Sequence, residues 1–297
     1  MSNNHLVFVY GTLRENEPNY NLLENAIRVA SQCWTGGVLY DTGSGYPVMG
    51  VSSLHRVYGE VYEVTTDTLH QLDELEGFRG STEKNLCERV SQTIYSDRGA
   101  MEASVYINGA FPLEQLEEVK FGDWKCHRYL EDDSFRYFAY GSCMDSERFT
   151  TAGVAEHFTK VIGCGKANNF SLAFTRAAED GGRADIIESD GYVEGKVYEL
   201  NKEALEYLFV REGVQGQLYR PAFVSVDVDG KVLQNVLTFI VIDKSTEIAP
   251  PIHYAIEILR GASGVVSDQY YHQIEEDLFR KFQLKIDIQK DLEVANS

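Results

Sequence analysis

No stretch of about 18 consecutive apolar residues occurs in this chain, so no membrane-spanning helix is expected. The opening MSNNHLVFVYG has neither the basic start nor the apolar stretch of a secretory signal. Cysteine is sparse: Cys33, Cys87, Cys126, Cys143 and Cys164 are scattered and never spaced as CxxC. That argues against a disulfide framework and against a thiolate zinc site. The histidines form no HExxH or other close ligand spacing, so no dedicated metal site is expected. Positive charge is scarce too, with 27 Lys and Arg against 46 Asp and Glu, a net charge of −19. Such a surface repels phosphates, which excludes nucleic acid as an expected partner. What remains is a soluble globular chain whose natural setting is the reducing cytoplasm, and its 297 residues suffice for two domains with separate cores.

The chain contains itself twice. VFVYGTLREN begins at Val7 and YFAYGSCMDS begins at Tyr137, each an apolar run ending in Tyr-Gly and a hydroxyl residue. Further on, Val61–Phe78 (VYEVTTDTLHQLDELEGF) aligns without gaps on Val197–Val214 (VYELNKEALEYLFVREGV), with 7 of 18 positions identical. The order Tyr-Gly, Val-Tyr-Glu, Glu-Gly holds in both halves. A period this long implies tandem domains, not a solenoid.

Local patterns describe each copy. HLVFVYG and RYFAYG are apolar, aromatic-rich runs ended by Gly, as a strand entering a turn would be. VYGEVYEV and GYVEGKVYEL alternate as half-buried strands do. Leu69, Leu72 and Leu75 in the first copy, and Leu205 and Leu208 in the second, have helical spacing. Gly77 and Gly213 suit the left-handed end of such a helix. Further strands are expected at NLCERVSQTIY, MEASVYIN, SLAFTR, LYRPAFVSVDV and VLQNVLTFIVI. PPIHYAIEILRGA and SDQYYHQIEEDLFRKF read as helices, the second N-capped by Ser267. The acidic YLEDDSF marks the boundary, giving domains at 1–131 and 135–282 and a tail at 283–297.

The repeated parts carry chemistry. A tight loop after Tyr-Gly presents backbone N–H groups that can hold an anion or an oxyanion. Glu76 and Glu212 each stand before Gly at the end of a short helix, facing the negative end of its dipole, so they do not serve the helix. The glutamate persists while its neighbours change, Leu75 against Arg211 and Asp73 against Phe209. A half-buried carboxylate with a raised pKa, suited to general acid–base work, is the sharper reading; a solvated charge is the plainer one.

FVYGTLRENEPN, LYDTGSGYPVM, VYGEVYEV and LDELEG resemble the γ-glutamylcyclotransferase superfamily, nearest its γ-glutamylamine cyclotransferase branch. YFAYGSCM, GYVEGKVYEL, REGVQGQLYR and PPIHYAIEILRGA resemble the γ-glutamylcyclotransferase branch proper. The resemblance implies an α+β fold of two tandem domains, each a small mixed β-barrel flanked by helices. It implies release of 5-oxoproline and an amine or amino acid from a small γ-glutamyl amide or peptide, by attack of the glutamyl α-amine on its own δ-carbonyl. Glu76 and Glu212 would be the catalytic acid–base groups. Tyr10, Gly11, Thr12, Leu13, Tyr46 and Pro47, and in the second copy Tyr140, Gly141, Ser142 and Cys143, would bind substrate. No metal or cofactor is implied.

Departures accompany the likeness. Cys143 stands where the family usually has Asn, Phe209 where it has Asp, and Cys87 where an aromatic is common. Other readings compete. LYDTGSG imitates an aspartic-protease loop but lacks a second Asp-Thr-Gly. GSCM offers a thiol, yet the first copy has Leu13 there, so Cys143 is expected to be buried and inert. A protein that binds γ-glutamyl-like ligands without turnover or serves as a scaffold, or one that removes a γ-glutamyl protecting group in a biosynthesis, is also compatible with the sequence.

Overall fold

The computed structural model describes residues 4–80 and 84–286. Most of the expected tail, residues 287–297, lies outside the described residues. The chain divides into two compact units, one ending at Glu131 and the other beginning at Asp132.

The first unit contains β1 (His5–Val9), β2 (Ile27–Gly36), β3 (Val38–Asp41), β4 (Pro47–Gly50), β5 (Arg56–Val64), α1 (Thr66–Glu76), β6 (Cys87–Ser96), β7 (Gly99–Asn108), β8 (Glu117–Glu118) and α2 (Trp124–Tyr129). The second contains β9 (Phe135–Ala139), α3 (Ser146–Thr151), β10 (Val161–Ala178), β11 (Gly181–Leu200), α4 (Lys202–Arg211), β12 (Tyr219–Val228), β13 (Lys231–Val241), α5 (Ile252–Ala262) and α6 (Asp268–Phe282). Each unit is a closed five-stranded barrel, ordered β1-β5-β2-β6-β7 in one and β9-β11-β10-β12-β13 in the other. Those orders are the same topology. The opening strand pairs in parallel with the last, β1 with β7 and β9 with β13, and antiparallel with the third, so both barrels are mixed.

The opening strand reads as an unbroken apolar run because both of its faces are buried. Phe8 joins Val57, Val61, Ile94 and Val105 in one core cluster. Val7 and Val9 join Leu69 and Leu72 of α1 in another. Each of those leucines contributes about 1.5–3 kcal/mol on burial. Leu75, at the next helical position, is 42% exposed and stands over a cavity instead of in the core.

Both short helices end alike. In α1, Phe78 N–H donates to Asp73 O at 2.9 Å and Gly77 N–H to Glu74 O at 3.3 Å. In α4, Val214 N–H donates to Phe209 O at 3.0 Å and Gly213 N–H to Val210 O at 3.1 Å. Gly77 (φ 68°) and Gly213 (φ 63°) take the left-handed conformation that closes such an end. Glu76 is the last residue of α1, whereas Glu212 is the cap just past α4. Ser267 caps α6 by accepting Tyr270 N–H.

Candidate functional site

Each barrel carries a cavity where its opening strand runs into the Tyr-Gly loop, and the loop and the glutamate both line it. The loops open with the same turn: Arg14 N–H donates to Gly11 O at 3.1 Å, and Met144 N–H to Gly141 O at 3.0 Å. The N–H groups of Thr12 and Leu13, and of Ser142 and Cys143, therefore precede the first donor that closes each turn. Tyr10 donates to Tyr106 O of β7 at 2.8 Å, and Tyr140 to Phe239 O of β13 at 2.5 Å. Both tyrosines line their cavities while their hydroxyls fasten the loop to the barrel.

In the first unit the cavity is about 350 Å³. Tyr46, at the end of the turn between β3 and β4, and Pro47, the first residue of β4, line it. Pro47 lies so close to Gly11 that a Cβ there would meet Pro47 Cγ at 2.8 Å. Glu76 is half-buried, and burial raises its pKa to about 7, opposed by a hydrogen bond from Cys87. One turn back, Asp73 accepts both Arg89 Nη1–H (3.0 and 2.8 Å) and the Tyr106 hydroxyl (2.8 Å). This fastens the end of α1 to β6 and β7.

In the second unit the cavity is about 170 Å³ and four arginines line it: Arg148, Arg176, Arg183 and Arg211. Among the described residues, no Arg or Lys lines the first cavity. Arg211 Nε–H donates to Cys143 Sγ at 3.3 Å and Arg211 Nη2–H to Ser142 Oγ at 3.4 Å. Cys143 Sγ lies 3.5 Å from Glu212 Oε1. Burial raises the Glu212 pKa, and Arg211 opposes the rise. Arg148 pairs with Glu257 and Arg183 with Asp180. Arg176 Nε is buried without a hydrogen-bond partner.

Two family models match this chain: "Gamma-glutamyl cyclotransferase, AIG2-like" over residues 7–126, and "AIG2-like family" over residues 192–274. The Bacillus subtilis protein named "Putative gamma-glutamylcyclotransferase YkqA" is 38% identical over 280 residues, spanning 93% of this chain and 98% of its own length. The chain belongs to the γ-glutamylcyclotransferase family. The crystal structure of YkqA superposes with a TM-score of 0.84 at 37% identity, covering 93% of this chain and 97% of that one. The gamma-L-glutamyl-butirosin B gamma-glutamyl cyclotransferase of Niallia circulans is 35% identical over 123 residues, 41% of this chain and 76% of that protein.

Within this family member, sequence reading missed the groups that hold each loop. In the first unit Arg14 is 2% exposed, with Nε 3.1 Å from Glu60 and Nη1 2.9 Å from Asp123. Lys125 donates to Glu15 O at 2.6 Å and lies 3.4 Å from Glu60. Burial raises the pKa of Glu60, but Lys125 and Arg14 outweigh it and hold it at about 2. The second unit uses other residues. Lys196, at the repeat position of Glu60, donates to Met144 O at 2.5 Å, and Arg260 of α5 holds Asp145 at 2.5 and 3.1 Å.

The two units differ here as whole sets of residues. Strand register pairs Arg89 with Tyr106, and Pro221 with Phe239, so the polar set Asp73–Arg89–Tyr106 corresponds to Phe209–Pro221–Phe239. Phe209 packs edge-on against Phe239, with ring centroids 5.7 Å apart. An aromatic contact does in one unit what charge does in the other. Cys143, expected to be inert, is buried but touches Glu212 directly.

Proposed function

We propose that both units convert γ-glutamyl amides to 5-oxoproline and a free amine. The observation that carries this reading is the juxtaposition, in each cavity, of a half-buried glutamate with a raised pKa and a Tyr-Gly loop. The glutamate takes a proton from the substrate α-ammonium. The freed amine attacks the δ-carbonyl, forming the lactam C–N bond, while the loop N–H groups of Thr12 and Leu13, or of Ser142 and Cys143, stabilise the oxyanion. The glutamate gives that proton to the leaving nitrogen as the original C–N bond breaks, then takes the second proton from the new lactam nitrogen, and the released amine carries it away as an ammonium, so the protons balance. Intramolecular attack supplies the proximity advantage.

The cavities point to different leaving groups. The first, larger and free of Arg and Lys among the described residues, suits an amine without a carboxylate, including a bulky one. The second suits a leaving amino acid, whose carboxylate Arg176 would receive. Five free thiols fit a reducing compartment such as the cytoplasm, and among the described residues no helix is long and apolar enough to cross a membrane.

The test is 5-oxoproline release from γ-glutamyl amines and γ-glutamyl amino acids, with wild type, Glu76→Gln, Glu212→Gln and the double variant. Each single variant should lose about 10²-fold or more toward one substrate class, and the double variant should lose both. Full turnover by both single variants would refute the assignment; ligand binding without turnover in wild type would favour a binding protein.

A further inference from the structure

Each glutamate shares its cavity with a cysteine, and the two cysteines come from different places in the repeat. Cys143 occupies the loop position that is Leu13 in the first unit. Cys87 opens β6 opposite Asn108, the register position held in the second unit by Tyr219 opposite Val241. The Cys143 thiol points at Glu212 Oε1, 3.5 Å away, while its sulfur accepts Arg211 Nε–H at 3.3 Å. Cys87 lines the first cavity together with Glu76 and holds the pKa of that carboxyl down against burial. Duplication alone would place a thiol at one shared position. Its arrival beside each glutamate from two unrelated positions points to a demand made by the glutamate.

We propose that Cys87 and Cys143 are positioning residues: each thiol donates one weak hydrogen bond that turns its glutamate toward the Tyr-Gly loop and favours the ionised, proton-accepting form. This rests on the reading of Glu76 and Glu212 as the proton-transfer groups. A thiol suits the task because it is a weak donor. It offsets part of the burial penalty and leaves the carboxylate basic near neutrality, where a strong donor would cost basicity. The thiols themselves stay protonated. Burial, then Glu76, pushes Cys87 up to about 12, and burial, then Glu212, raises Cys143. They are donors, not nucleophiles.

The surroundings rank the two effects. Glu76 faces Tyr10 of the loop, Cys87 with its neighbour Glu88 on β6, and Tyr106 on β7, and Asp73 on its own helix is taken up by Arg89. Glu212 faces Cys143 and Tyr140 of the loop, Arg211 beside it on its own segment, Arg148 on α3, Arg176 on β10, and the tyrosines Tyr137, Tyr219 and Tyr254. Arginines share the support of Glu212, so Cys87 matters more to its site than Cys143 does.

The experiment measures kcat/KM against pH on the full chain. Cys87→Ala and Cys87→Ser are made in the Glu212→Gln background with γ-glutamylbutylamine; Cys143→Ala and Cys143→Ser are made in the Glu76→Gln background with γ-glutamylalanine. Cys87→Ala should move the acid limb up by about half to one pH unit, a three- to tenfold loss on that limb that shrinks toward the alkaline plateau. Cys143→Ala should move it less, and each serine variant, as the stronger donor, should hold its acid limb at or below the wild-type position. Equal loss at every pH, or an unmoved limb, would overturn the proposal. If Glu76→Gln keeps first-site turnover, the underlying assignment fails instead. Carboxyl-13C glutamate NMR on the resting protein reads the Glu76 titration without turnover, and an unchanged midpoint in Cys87→Ala would also overturn the proposal.

Discussion

A carboxyl whose pKa stands at about 7 in the folded chain, against 4.5 for an unburied group, makes folding less favourable once it ionises. The folded state binds the extra proton between those values, so this contribution falls as pH rises from about 4.5 to about 7 and is flat beyond. Glu76→Gln should therefore stabilise the first unit at pH 8 by on the order of 1–3 kcal/mol and leave it nearly unchanged at pH 4, read by thermal unfolding at both values. A functional residue kept at the expense of stability behaves this way; one kept for structure does not. Arg176 makes the opposite kind of prediction. Arg176→Gln should raise KM for a γ-glutamyl amino acid about tenfold at the second site while first-site kinetics stay fixed. Comparison of the halves was enough to single out both glutamates. Nothing in the sequence marked Arg176, because it sits on β10 with no repeat counterpart and gains its meaning only from the cavity it enters.

The Glu-Gly helix end is the element that aims each carboxylate. Gly77 stands at φ 68°, and a Cβ there would meet Leu86 Cβ at 2.9 Å. Gly77→Ala should cost the first unit about 1–2 kcal/mol from the backbone alone and lower first-site turnover, since the end of α1 must shift. In the second unit α5 presses on the loop: a Cβ on Gly261 would lie 2.5 Å from Asp145 N and 2.6 Å from Met144 C. Gly261→Ala should destabilise that unit by about 1–3 kcal/mol and impair only its site, checked by thermal unfolding and 5-oxoproline release on both substrate classes. The short helices and opening strands were legible because their patterns are regular. Most of β10 and the first half of β11, which pairs with it, were not. β10 has register shifts between Asn168 and Phe170 and between Ala173 and Arg176, which break the alternation and leave SLAFTR as the only strand-like fragment. β2 is interrupted in the same way between Arg28 and Ala30 and between Ala30 and Cys33.

For the whole molecule, each barrel closes with its own strands and encloses its own cavity. Fragments 1–131 and 132–297 should therefore each fold, with circular dichroism of a β-rich protein, and each should retain one substrate class. An unfolded fragment would refute independence of the units. A chain of net charge −19 gathers four arginines around one small cavity, so second-site KM should rise with ionic strength while first-site KM does not. The sequence by itself determined the duplication, the order of loop, strand and helix, and the two glutamates, because these are local patterns written twice. Only the tertiary structure decided what surrounds each glutamate. The Cys143–Glu212 contact joins residues 69 positions apart, and Arg14 reaches Asp123 across 109. Such contacts depend on barrel closure and strand register, which leave no period in the chain, and so each unit could replace the neighbours of its glutamate while the repeated pattern stayed the same.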